Sequence, residues 1–372
     1  MVALVVFAGC GSDPVAPGGC PLGAKRRDNL CWAHLGLKSA WISAIAATPW
    51  GTFVGSEAGE MFRLEANGRW TALGPSVWRD RMVLRAIEFV PADPARLFVG
   101  LQFYNGPGDT ARSALYASHD RGETWTPQDR DLYQRAPQYW QFHVFDIAVD
   151  PRDPQRLFVS SISGVLQSRD CGGTWRYVEG DFGWLTNGFV HLLIDPRNPD
   201  RMWVAGEGAI FNPFVGVSED AGDTWVPVTP RCSGRVYETP VYSLALAPGK
   251  ADRLFLGAQI GLFQSDEAGA PGSWECSGAV AGAVVGFGEL GGDLYAATVF
   301  VDRIQEPDGD IREETELGLY RERDNGDSWT RLAVPRKAVG ASAMAADPAA
   351  GRLLIGTRQG LWAVTPLPHS LQ

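Results

Sequence analysis

Ser118-His119-Asp120-Arg121-Gly122-Glu123-Thr124-Trp125 fixes the architecture, because the chain repeats it. It returns as Ser168-Arg169-Asp170-Cys171-Gly172-Gly173-Thr174-Trp175 and as Ser218-Glu219-Asp220-Ala221-Gly222-Asp223-Thr224-Trp225. The stretch Glu322 to Trp329 keeps Asp324, Gly326, a hydroxyl at Ser328 and the tryptophan. A looser copy opens at Ser265-Asp266 and reaches Trp274 after a small insertion, and Asn67-Gly68-Arg69-Trp70 is a worn version. Tryptophans at 70, 125, 175, 225, 274 and 329 thus recur about every fifty residues, the signature of a repeat array.

Each copy is turn chemistry between two strands. The aspartate can accept hydrogen bonds from nearby backbone N–H groups, the glycine tolerates a positive φ, and Thr-Trp opens a strand with a large apolar anchor. Upstream of each turn lies a second signature, clearest in Phe145-Asp146-Ile147-Ala148-Val149-Asp150-Pro151 followed by Arg156-Leu157-Phe158-Val159. It reads as a strand, an Asx-Pro turn and another strand, and a Gly-led strand such as Gly164-Val165-Leu166-Gln167 comes next. Four antiparallel strands per repeat make one propeller blade. Blades are expected near 41–74, 83–129, 144–179, 189–229, 241–277, 283–333 and 340–365. The seventh shows three strands, and Cys31-Trp32-Ala33-His34-Leu35 supplies the missing outer one, which closes the ring and hides a sheet edge. The reading is therefore an all-β, seven-bladed β-propeller of four-stranded antiparallel blades, spanning 31–366 and closed by the N-terminal strand, with a tail at 367–372.

These turns resemble the Asp-box, or BNR repeat, of sialidases, xyloglucan-cleaving enzymes, sortilin-type receptors and photosystem assembly factors, all of them propellers. The resemblance implies that the box is a structural turn away from the active face. Asp120, Trp125, Asp170, Trp175, Asp220, Trp225, Asp324 and Trp329 take structural roles on that reading.

A formal charge of −10 argues against a nucleic-acid partner, which would call for a basic stripe. The apolar run Val2 to Ala8, ending at Gly9-Cys10, resembles the end of a bacterial lipoprotein signal (residues 1–10), which implies lipidation of Cys10. Residues 11–30, rich in Gly and Pro at their start, are expected to form a flexible tether, so the membrane is reached only through the lipid. The expected location is the periplasm or cell surface, and the expected state a monomer. The remaining Cys20, Cys31, Cys171, Cys232 and Cys276 are odd in number. Pairs Cys20–Cys31 and Cys232–Cys276 suit an exported protein. No C-x-x-C or H-E-x-x-H spacing occurs, so no structural metal is expected.

In such a blade the turns after the first and third strands share one face, here occupied by the Asp-Pro turns and the boxes. The opposite face carries the irregular insertions, where function usually sits. They comprise Phe103 to Arg112 in blade two, Gly206 to Phe214 in blade four and Phe300 to Leu317 in blade six, together with the links between blades. Aromatic rings beside polar groups suit a glycan or a protein ligand. The candidates are Tyr139, Trp140, His143, Trp184, Asn187, Arg235, Tyr237 and Glu238, with wedge-filling between blades as the competing role. The acidic 302–316 segment, in which Glu306-Pro307-Asp308-Gly309-Asp310 offers oxygens, is the one place for calcium, although a solvated loop fits it better. No other cofactor is expected.

The catalytic pattern of sialidases is missing: no Phe-Arg-Ile-Pro-type motif appears, and Tyr237 and Glu238 are neighbours that a strand would send to opposite sides. Xyloglucanase-like enzymes set two propellers about a cleft. The sequence alone therefore favours an exported, non-catalytic propeller that binds a glycan or protein on its long-loop face. The alternatives are a glycoside hydrolase using Glu207, Glu238 and Asp302, and an assembly factor for a membrane complex.

Overall fold

A computed structural model describes residues 20, 24–27, 29–78, 82–103, 113–128, 143–161, 164–178, 186–208, 213–236, 238–305, 311–323 and 327–367. Seven antiparallel sheets follow one another along the chain, each with its first strand innermost. The inner strands are Ile42–Thr48, Met82–Val90, Val144–Val149, Thr186–Ile194, Val241–Leu246, Ala283–Leu290 and Ala341–Asp347. Consecutive inner strands touch, and the last touches the first, which closes the ring. The clasp is as read from the sequence: Leu30–Gly36 pairs with Gly360–Pro366, placing Trp32 opposite Val364.

Two details differ from expectation at this seam. Lys25–Arg27, inside the segment assigned to the tether, adds a fifth strand outside Leu30–Gly36. The Cys20–Cys31 disulfide is buried together with Leu367, so the ordered body extends beyond residues 31 and 366. Cys232 and Cys276 form the second disulfide, and Cys171 is free and half-buried.

The repeated turns share one geometry. Ser118 Oγ donates to Asp120 Oδ1 (2.7 Å) and accepts from the Gly122 N–H (2.8 Å). Asp120 also accepts from the Thr124 N–H (2.8 Å) and from its hydroxyl (2.5 Å), while Trp125 Nε1 donates to Gly122 O (2.9 Å). The hydroxyl-to-aspartate and N–H-to-aspartate bonds recur at Asp170 and Asp220. Hydrogen bonds from the Thr124 hydroxyl and N–H pull the Asp120 carboxyl down to about 2. The sequence reading gave the positive φ to glycine alone, yet the residue before it shares the left-handed conformation: Arg121, Cys171, Ala221 and Ala268 have φ between 52° and 62°. Asp324 lies outside the described residues.

The tryptophans explain why the turns repeat. Each packs against an aromatic or leucine on the second strand of the preceding blade: Trp125 with Phe53, Trp175 with Phe98, Trp225 with Phe158 and Trp274 with Trp203. Trp329 meets Phe255 edge to face at 5.4 Å, and Trp70 packs with Leu354. Trp32 from the clasp takes the same place against Tyr295. The cores thus lie between blades, which makes each sheet dependent on its neighbours. At Gly222 any Cβ would come within 2.5 Å of Phe158 Cε1, so the turn can seat on the neighbouring ring only without a side chain.

The blade-six insertion is no loop. Asp293–Gln305 and Ile311–Arg323 form a hairpin whose ladder runs out to Gln305 opposite Ile311, setting Arg303 against Glu313 and Asp302 against Glu314. Val301 opposite Thr315 and Val299 opposite Leu317 carry the ladder outward from the blade, which a reading by charge alone misses.

Candidate functional site

Every inner strand is bulged near its long-loop end. The register with the second strand shifts at Ser43, Arg85, Phe145, Val190, Tyr242, Val285 and Ser342, with further shifts at Asn187 in blade four and between Phe89 and Val90 in blade two. Bulges re-aim side chains, and they cluster beside active sites. Ser43 and Ser342 use the freedom structurally, donating to Leu84 O and Ile42 O of the next inner strand. Arg85 turns its guanidinium toward the mouth instead. Its Nη1 pairs with Glu57 Oε1 at 2.9 Å, and its Nε donates to Gln102 Oε1 at 2.6 Å. Glu57 sits in the turn after Gly51–Ser56, with its N–H donating to Trp41 O. Trp41 is 40% exposed and Tyr242 38% exposed on the same face.

Below the bulges a polar seam interrupts the repeat. The residue after each bulge is Ala44, Ala86, Asp146, His191, Ser243, Gly286 or Ala343, and two further along stand Ala46, Glu88, Ala148, Leu193, Ala245, Gly288 or Ala345. Blades two to five therefore carry Glu88, Asp146, His191 and Ser243 where small or apolar residues otherwise serve. Asp146 accepts from the N–H groups of Ile147 (2.9 Å) and of Leu192 in the next blade (2.8 Å), and its Oδ2 lies 3.6 Å from His191 Nδ1. Burial raises the Asp146 carboxyl, with His191 opposing. Burial, with the Asp146 charge adding to it, raises Glu88 to about 8. A little of the Glu88 surface remains accessible, but protein surrounds it deeply enough for desolvation to dominate.

Folded Glu88 keeps its proton to about pH 8, while an ordinary carboxyl of this type releases it near 4.5. Between those values the unfolded chain binds fewer protons, so stability falls as pH rises. Glu88→Gln is expected to flatten this slope and to stabilise the protein at pH 8 relative to the parent. Thermal melts from pH 5 to 8.5 check it, and an unchanged slope in the variant would place the titration elsewhere.

The residues expected from sequence are placed unevenly. His143 is buried, its Nδ1 accepts from the Phe103 N–H at 3.0 Å, and burial with the nearby Arg85 charge lowers it to about 4. It is thus a neutral imidazole at physiological pH. Arg235 is exposed and bridges back to Cys232 in a tight turn, with Glu238 exposed just beyond. Glu207 lies in Met202–Gly208, opposite Gly188 and Pro213. Asn187 lies in Thr186–Ile194. Glu207 and Glu238 belong to blade four and the link after it, whereas Asp302 sits on the blade-six hairpin. Tyr139, Trp140, Trp184 and Tyr237 lie outside the described residues. Glu306, Asp308 and Asp310 of the calcium reading lie there too, and no group of three or more metal-ligating side chains occurs among the described residues.

Glu57, Arg85, Gln102, Glu88 and Asp146 were not singled out from the sequence. Three of them carried a signal as charged residues in otherwise largely apolar inner strands, Arg85 and Glu88 inside Met82–Val90 and Asp146 inside Val144–Val149, while Glu57 and Gln102 lie outside those strands.

No family model matches the chain. Among curated proteins it is 25% identical to a xyloglucanase of Hypocrea jecorina over 317 residues, covering 74% of this chain and 36% of that protein. A xyloglucanase of Acetivibrio thermocellus is 26% identical over 170 residues, 40% of this chain and 20% of the relative. The chain thus spans about a third or less of the curated relatives it matches. Among solved structures, the GH74 enzyme of Niastella koreensis superposes with a TM-score of 0.62 at 16% identity, covering 89% of this chain and 53% of the other. The GH74 xyloglucanase of Xanthomonas campestris gives 0.58 at 19% identity with the same coverage. These structures agree in fold. The curated relatives overturn the non-catalytic reading of the sequence, because they are named as xyloglucanases; they favour the glycoside hydrolase alternative.

Proposed function

We propose that this chain is a glycoside hydrolase propeller of xyloglucanase type, acting on a β-glucan through its long-loop face. The carrying observation is the xyloglucanase likeness over 74% of the chain. Glycoside cleavage generally takes two carboxyls, one to protonate the leaving oxygen and one to act as base or nucleophile. Glu57 is the carboxylate we assign at the mouth, oriented by Arg85, and Gln102 fixes the guanidinium from its other side. Glu207, Glu238 and Asp302 are the candidates for its partner. The aspartates of the repeated turns have their oxygens taken by Ser and Thr donors, which supports the Asp-box reading and leaves them no part in the chemistry.

Export belongs to the same proposal. Two disulfides fit an oxidising compartment, and Cys10 is the residue that a lipid anchor would use. The protein incubated with soluble xyloglucan is expected to generate new reducing ends and to lower its viscosity. Failure to release sugar from xyloglucan and from a panel of other β-glucans would refute the hydrolase reading.

A further inference from the structure

Between blades six and seven the long-loop face holds an open groove of about 810 Å³. One wall is Thr315, Glu316 and Leu317 of the hairpin; the other is Arg331 and Leu332 with the link through Arg336 to Val339. Leu317, Leu332, Val334 and Pro335 give it apolar surface. Its cations differ from four arginines of the opposite rim. Arg156, Arg201, Arg253 and Arg352 on the opposite rim are each ion-paired to aspartates. Among the described residues no carboxylate lies within ion-pair distance of Arg331, Arg336 or Lys337.

Arg331 is also pre-positioned. Its guanidinium stacks 5.1 Å from the centre of the Phe300 ring. Stacking holds the plane of the group and leaves its N–H edge free, which is the edge that grips a carboxylate in two parallel hydrogen bonds. A second guanidinium of this kind follows along the same face. Arg358 stacks 4.5 Å over Trp41, and Gly340, at the end of the link, lies beside both Thr315 and the Arg358 stem.

We propose that this groove binds a glycan bearing carboxylates, a uronate-containing chain, with Arg331 and Arg336 as the recognising groups. The inference rests on the glycan-directed reading above and adds a charged substituent to it. The hairpin's own acids oppose these cations. Glu313 and Glu314 lead into Thr315 and Asp302 stands opposite Glu314, with Arg303 and Arg312 on the same two strands. With Glu316 they set four carboxylates against five cations once Arg331, Arg336 and Lys337 are counted, a balance that salt screens beyond about 8 Å.

Calorimetry on the intact protein tests it with short oligogalacturonates, the same sugars methyl-esterified, and poly-glutamate. The expected outcome is binding of the free acid, weakened about tenfold or more by Arg331→Gln and by Arg336→Gln, and reduced by added salt. Arg331→Lys should recover only part of the loss, since an ammonium lacks the planar fork. Equal binding of the methyl ester would show that charge is not read and would overturn the proposal. Equal binding of poly-glutamate would make the groove a dock for acidic polypeptide and overturn it as well. Absence of any binding by the parent protein, with its melting transition intact, would do the same. Because the readout needs no turnover, a negative result here leaves xyloglucan hydrolysis to its own assay. An inactive protein that still binds the free acid would sink only the hydrolase reading.

Discussion

Trp203→Ala should cost the protein about 3–5 kcal/mol, the range for emptying a large aromatic from a packed core. The indole is fully buried on the second strand of blade four, and it packs with Trp274 of blade five. Its Nε1 donates to Ala268 O at 2.7 Å, and Arg201 lies 5.2 Å over the ring. Truncation therefore opens a cavity between two blades and strands the carbonyl of the next turn, so the transfer loss and an unmet hydrogen bond add. Val226→Ala offers the contrast, since Val226 is 55% exposed and should move stability by less than about 0.5 kcal/mol. Urea unfolding of both variants separates the cases. A Trp203→Ala loss below about 1 kcal/mol would mean that the ring is not held by contacts between blades.

The same contacts explain why the fold was legible. A tryptophan every fifty residues is a packing requirement repeated once per blade, and the aromatic it meets sits in an equally regular place: Phe53, Phe98, Phe158, Trp203 and Phe255. Even Trp32, remote in sequence from the blade it completes, obeyed the rule against Tyr295. Regular physics leaves regular sequence.

The site was far less legible. Charge count placed a loop at 302–316, whereas cross-strand pairing continues the blade-six sheet to Gln305 and Ile311. Aromatic content drew attention to the links, but Glu57 and Arg85 meet through a single-residue bulge, and a bulge leaves no mark in the hydrophobic alternation of Met82–Val90. Glu88 and Asp146 stand in plain view within strand signatures. Only the alignment of inner strands shows that most other blades place Ala or Gly there, and that no other blade places a carboxyl. The non-catalytic reading came from the missing sialidase motif and from the two-propeller plan of xyloglucanase-like enzymes. Curated relatives named as xyloglucanases correct it.

The most direct trial compares one carboxylate from each face in xyloglucan hydrolysis. Glu57→Gln keeps the size of the side chain and removes the charge that Arg85 orients, so its rate should fall by about a hundredfold or more, the typical loss for an acid–base group. Asp170→Asn on the repetitive rim loosens a turn closed by Ser168 and Thr174, and in the folded protein it should leave the rate within about twofold of the parent. Folding of both is followed by circular dichroism, so that activity is compared only between intact rings. A fall confined to Glu57→Gln is what this account predicts; full activity in that variant, or a collapse confined to folded Asp170→Asn, would contradict it.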